Sequence, residues 1–199
     1  MSRPEPTNDP REQTSMSETP SSDWNAPRDR AAAEAQMGRP LEGRFRVASR
    51  CHLQLPVVLE CHPNREGQPF PTLYYLTCPL ARIRVSRLEA AGGVRDWTAR
   101  VEAEPQLASS LADAHRAYAA RRSAHLDPDD PLLAKLAGGI GGSEGVKCLH
   151  MHYAHARVGE ENPIGGPIRA AIEPLDCSGP CVAEGGSVAA WREPNPPTG

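Results

Sequence analysis

Large apolar side chains are nearly absent from residues 1–27, where only Met16 and Trp24 follow the initiator among Pro, Ser, Thr, Asp and Glu. Such a stretch cannot bury enough apolar area to offset its ordering entropy, and it predicts a solvated tail. The pattern then predicts a short helix over Arg28–Met37, stopped by Gly38 and Pro40. Two strand-like runs follow, Arg44–Ala48 and Leu55–Leu59, then a turn at Asn64–Gly67 and a third strand at Thr72–Thr77, rich in β-branched and aromatic residues. These three runs are expected to pair as one antiparallel sheet.

After Pro79 the apolar spacing becomes helical. Leu80, Ile83, Val85 and Leu88 predict a helix ended by Gly92 and Gly93, with two more over Val94–Glu104 and Pro105–His125. A turn or two is expected over Pro131–Ala137. A Gly-rich loop at Gly138–Gly142 precedes a helix expected to be capped by Ser143, and Asn162-Pro163 caps another. Beyond Cys181, Pro and Gly in the closing Pro194–Gly199 argue for a flexible end, residues 183–199. The fold class read from the chain is α+β: one domain over 28–182, a small antiparallel sheet followed by a mostly helical remainder.

The chemistry is concentrated in Cys148-Leu149-His150-Met151-His152-Tyr153-Ala154-His155 and in Cys177-Ser178-Gly179-Pro180-Cys181. At about 100° per residue, Cys148, His152 and His155 share one helical stripe, while Lys147, His150, Ala154 and Arg157 fall on the opposite, wetter side. A buried stripe of one thiol and two imidazoles needs partners, since an unpaired polar group in a core costs on the order of 1–3 kcal/mol. A divalent metal supplies them. An i, i+4 pair such as Cys148 and His152 can chelate one ion, and Cys177 and Cys181 can complete a tetrahedral site. His155 is then left as an alternative ligand or proton carrier. Core packing is the competing account, because free cysteine is a common small buried residue.

The remaining candidates are weaker. Cys51 and Cys78 sit at the edges of strand-like runs; with Cys148, Cys177 and Cys181 they make five thiols, enough for an iron–sulfur cluster held by four. Cys177 and Cys181 can alternatively form a reversible thiol pair. Cys61 and His62 lie before a turn and are expected to be exposed. His115, Tyr118 and Arg122, spaced i, i+3, i+7 with Arg121 beside them, can hold an anionic substrate group, although a solvated helix face has the same pattern. The Gly138–Gly142 loop can likewise cradle an anion but lacks the Gly-Lys-Ser/Thr ending of a phosphate loop.

Composition narrows the classes. The chain has 199 residues, six cysteines and a formal net charge of −3, which gives no global attraction to nucleic acid or anionic membrane. It has no signal-peptide core and no run of roughly 20 apolar residues, so a cytoplasmic location is the expectation. In that compartment thiols stay reduced, which favours metal ligands, redox groups or core residues over structural disulfides.

Pro69–Pro79, Ser86-Arg87-Leu88-Glu89, Val146–His155 and Asn162-Pro163-Ile164-Gly165 resemble the signature blocks of the bacterial family called domain of unknown function 501. The resemblance extends over roughly Arg28 to Cys181. It implies a grouping and no reaction, and it matches Cys51, Cys78, Cys148, His150, His152, His155, Cys177 and Cys181. It brings His150 forward and leaves Cys61-His62 aside. The link Arg157–Glu161 departs from the family's Gly-rich link.

Two function classes follow. One is a protein with a zinc or iron–sulfur site, acting as an enzyme with His150 or His155 at work on an anionic substrate held by Arg122 and the Gly-rich loop. The other is a non-catalytic binding or regulatory domain with a closed zinc site or a thiol pair. Four protein ligands make a structural site, whereas an open position is needed for chemistry.

Overall fold

The computed structural model describes residues 23–136, 138–142, 144–183, 186–188 and 190–195. Most of the expected N-terminal tail, residues 1–22, lies outside the described residues, as does Ser143. Helix α1 (Pro27–Met37) is followed by strands β1 (Phe45–Arg50) and β2 (Pro56–Cys61), the short hairpin β3 (Asn64–Arg65) and β4 (Gln68–Pro69), and β5 (Tyr74–Leu76). Helices α2 (Pro79–Ala90), α3 (Gly93–Ala103), α4 (Pro105–Ser123), α5 (Leu149–Arg157) and α6 (Gly165–Ile172) follow, then the small ribbon β6 (Val182–Ala183) and β7 (Gly186–Ser187). The class is α+β, as the pattern predicts. Proline opens α1, α2 and α4, where its missing N–H costs nothing because the first helical donors have no partner inside the helix.

The sheet has the order β1-β2-β5, all antiparallel, with Val47 opposite Leu59 and Val58 opposite Leu76. Every residue of β2 is buried because both sheet faces are covered. Phe45, Val47 and Leu59 pack with Ala33 of α1, while Val58, Tyr74 and Leu76 join the main core with Leu80, Leu111, Leu149, Tyr153 and Ile168 of the helical half. Glu60 lies in this buried strand. Burial pushes its carboxyl up, but hydrogen bonds and charge from His125 and Arg46 outweigh that and hold it down at about 2.

Several expectations about exposure are corrected by tertiary contacts. The described end of the expected N-terminal tail is packed: Asn25 bonds the Phe45 carbonyl at 2.7 Å, and Trp24 meets the rings of His62 and His125 edge-on. Cys61 is buried and His62 half-buried, because this contact covers the turn that looked open. At the other end, the expected flexible segment contains the β6–β7 ribbon, and Glu193 is held by Arg84 and Arg87.

Helices α5 and α6 approach closely because Gly165 carries no side chain. A Cβ there would meet the His152 carbonyl oxygen and, at 2.8 Å, the Ala156 Cβ. Gly165→Ala is therefore expected to cost about 2–3 kcal/mol in urea unfolding through overpacking. Gly166→Ala, with nothing within 4 Å, should be neutral or mildly stabilising. Equal midpoints for the two variants would show that α6 moves away from α5 without penalty.

Candidate functional site

Helix α5 begins at Leu149, six residues after the expected Ser143 cap, with Cys148 as its extended N-cap (φ −155°, ψ 151°). The predicted stripe is thereby broken. The extended backbone takes Cys148 out of the helical periodicity, and its thiol groups with Glu89 and His150 rather than with His152 and His155. The supposed wet side is corrected as well: Ala154 and Arg157 are buried, since α5 is enclosed by β5, α2 and α6.

His152 and His155 meet instead at Asn162, whose Nδ2 lies 3.3 and 3.2 Å from their Nδ1 atoms. Its Oδ1 accepts the N–H groups of Ile164 and Gly165, so one side chain both starts α6 and orients two imidazoles. His155 stacks on Tyr74 and meets Tyr118 edge-on, and His115 stands 6.1 Å from His152 between ring centres. Burial pushes His152 and His155 down to about 4, with the charge of His115 acting in the same direction. Both are neutral at pH 7, each presenting an Nδ1 acceptor to Asn162.

His115, Tyr118 and Arg122 do share one face of α4, but that face is buried and most of its polar atoms are engaged by backbone, with Arg122 Nε and His115 Nε2 left without a hydrogen-bond partner among the described residues. The Arg122 guanidinium donates to the carbonyls of Pro71, Leu136, Gly138 and Gly139 at 2.8–3.4 Å. Tyr118 Oη accepts the Leu73 N–H at 2.6 Å, and His115 Nδ1 accepts the Ile140 N–H at 2.9 Å. The trio secures the Gly-rich loop. Neither an anion-holding face nor a solvated one survives, and the loop turns carbonyl oxygens towards Arg122 and Lys147 rather than amides towards an anion.

Cys51, Cys78, Cys177 and Cys181 lie about the start of β2, whereas Cys148 stands beside Glu89, at the end of α2 opposite Cys78. The four proposed metal ligands Cys148, His152, Cys177 and Cys181 are therefore divided among three places. Among the described residues, the one group of three or more ligand atoms all within 4.8 Å of one another is Glu89, Cys148 and His150. All three are half-buried. Glu89 comes from the last turn of α2, and its Oε1 accepts the Leu149 N–H at 2.6 Å while lying 3.1 Å from His150 Nδ1. His150 Nε2 is 3.2 Å from Ser86 Oγ and 3.3 Å from the Arg82 carbonyl. Burial raises the Cys148 thiol pKa, and the Met151 and His150 backbone amides oppose the rise.

Glu89 was not among the candidates read from the chain. It stands 59 residues before Cys148, on a different helix, and nothing local marks it as facing α5. His150 was named from the family resemblance, whereas helical spacing alone placed it apart from Cys148, beside which it lies.

Fold and site together define an α+β protein with a carboxylate, a thiol and an imidazole converging where one helix ends and another begins. The chain belongs to the family described as protein of unknown function DUF501, whose pattern matches residues 47–169. That span includes β2, β5, most of β1 and all of Glu89, Cys148 and His150, and stops before Cys177 and Cys181. No curated protein and no solved structure matches the chain. No helix among the described residues is long and apolar enough to cross a membrane.

Proposed function

We propose that the protein binds one divalent ion, zinc, through Glu89, Cys148 and His150, leaving a fourth position for water or a substrate. The observation that carries this reading is the convergence of oxygen, sulfur and nitrogen donors within 4.8 Å. Bonds of about 2.0–2.3 Å to a tetrahedral zinc require only a modest contraction of that triangle. His150 is suited to ligation through Nδ1, because its other nitrogen faces the Arg82 carbonyl and Ser86 hydroxyl, the kind of outer contact that fixes a ligand ring. Such an ion, when bound with an open position, brings the pKa of its water to about 7 and polarises a carbonyl or phosphoryl oxygen.

The chain's own residues set the rest. Cys148 must lose its proton to ligate, so zinc affinity should rise with pH, and the Met151 and His150 amides at the helix start favour the thiolate. Leu88 and Leu149, sequence neighbours of the ligands, line an apolar cleft of about 300 Å³ with Trp97 and Ile168, which suits an uncharged substrate portion. An anionic substrate has no such support, since Arg122 is committed to backbone carbonyls.

A second reading, a non-catalytic domain in which the trio merely caps α5, is favoured by the Glu89 bond to the Leu149 N–H. Glu89→Gln separates the two, because the amide oxygen can still cap the helix while the charge is lost. Calorimetric zinc titration should show one ion fewer per chain in a Cys148→Ser, His150→Gln double variant, and at least about 10-fold weaker binding in Glu89→Gln. Identical zinc stoichiometry and affinity in all three proteins would leave only the capping role.

A further inference from the structure

We infer that Cys51, Cys78, Cys177 and Cys181 together hold an iron–sulfur cluster at the N-terminal end of β2, separate from the Glu89 site. Three chain segments converge there through specific bonds. Cys51 closes the β1–β2 connection, its N–H on the Leu55 carbonyl at 3.0 Å. Cys78 approaches the other edge of β2, its N–H directed at the Val57 carbonyl at 3.4 Å, and forms the N-cap of α2. Gln36 of α1 donates Nε2 to the Pro56 carbonyl at 2.9 Å and to Cys181 Sγ at 3.5 Å, which sets Cys181 beside the same strand end. His52, next to Cys51, lies 3.1 Å through Nε2 from the Cys177 carbonyl. The cysteines are free, and Cys51, Cys78 and Cys177 belong to one packed cluster.

The spacing decides between ligands. A tetrahedral zinc with bonds of about 2.3 Å would draw the sulfurs to roughly 3.8 Å apart. Among the described residues, no three of these sulfurs lie within 4.8 Å of one another. Bonds at the consecutive residues Leu55, Pro56 and Val57, and that of His52 to Cys177, nonetheless bring all four residues to one strand end. A cluster places several irons and bridging sulfides between its thiolates, so it accommodates a wider ring than one ion does.

The surroundings also suit a buried negative group. Cys78 is buried at the N-cap of α2, where the first helical amides and the positive end of the helix dipole favour a negative group. Gln36 directs its amide N–H at Cys181 Sγ. The buried indole Nε1 of Trp191, without a hydrogen-bond partner among the described residues, packs against the same cluster as Cys177. These donors are of the kind that tune a cluster's potential.

The test is iron, acid-labile sulfide and zinc content, with a visible spectrum, on the full chain purified without oxygen. Iron and sulfide in equal amounts, about four of each per chain, are expected. Cys177→Ser with Cys181→Ser should drop both below about one, while Cys148→Ser and Cys61→Ser leave them unchanged. Cys177 and Cys181 are chosen because they are half-exposed; Cys181→Ser alone serves if the double variant does not fold. Protein without iron and sulfide even after reconstitution with ferrous iron and sulfide overturns the inference, as does one zinc lost in the same variant, or a Cys177–Cys181 disulfide. Iron and sulfide present in a parent protein that binds no zinc at Glu89, Cys148 and His150 would count only against the preceding proposal.

Discussion

Replacing Arg122 with Met is expected to cost about 4 kcal/mol of folding stability, among the largest single-residue effects in the chain. The side chain is fully buried, and its two terminal nitrogens serve four carbonyls from two segments, Pro71 before β5 and Leu136–Gly139 after α4. A methionine fills similar volume but leaves those carbonyls without the donors that satisfy them. Arg122→Lys should be intermediate, because one ammonium cannot span the fork that a planar guanidinium covers. Urea unfolding of the three proteins measures this. A loss below about 1 kcal/mol in Arg122→Met would mean that the Gly-rich loop has another anchor, and would reopen a ligand-binding role for the arginine.

The second large effect is acid sensitivity. His155 is held at about 4 in the folded protein against an ordinary value of 6.5, so the unfolded chain takes up a proton first as pH falls. Stability from keeping this imidazole neutral is fully present above pH 6.5 and is lost as pH drops from there towards 4. A difference of that size corresponds to about 3 kcal/mol for one histidine. His152 is depressed by a similar amount and acts in the same window. Their combined weight is comparable to the whole stability of an ordinary domain, so the protein should lose its structure between about pH 5 and 4. Glu60, held at about 2, contributes in a different window, losing its share only as pH falls from 4.5 through 2. His155→Gln keeps an acceptor for Asn162 and removes the titration, so its stability should vary less between pH 7 and 5 than that of the parent. An unchanged pH slope in that variant would show that His155 titrates alike in the folded and the unfolded protein.

The division between what was legible and what was not follows the range of the forces involved. Prolines that open α1, α2 and α4, the break at Gly92, and the strand-like apolar runs that build β1, β2 and β5 act within a few residues, and the antiparallel sheet with its helical majority was readable from them. The face shared by His115, Tyr118 and Arg122 was readable too. Whether it met water, an anion or backbone was not, because that depended on a loop folding over it from 14–17 residues away. Helical spacing misled at Cys148, since the N-cap is the one position where a helix's periodicity does not yet hold.

The sequence by itself determined that six thiols and several imidazoles would have to be satisfied within a small α+β domain, because their types and their neighbours' polarity are local properties. Only the tertiary structure decided which of them meet. It parted Cys148 from His152, supplied Glu89 from α2, and drew Cys51 and Cys78 to Cys177 and Cys181 around one strand end. Such groupings join residues far apart in the chain, and only the packing of α1, α2 and α5 about the sheet brings those atoms within reach of one another.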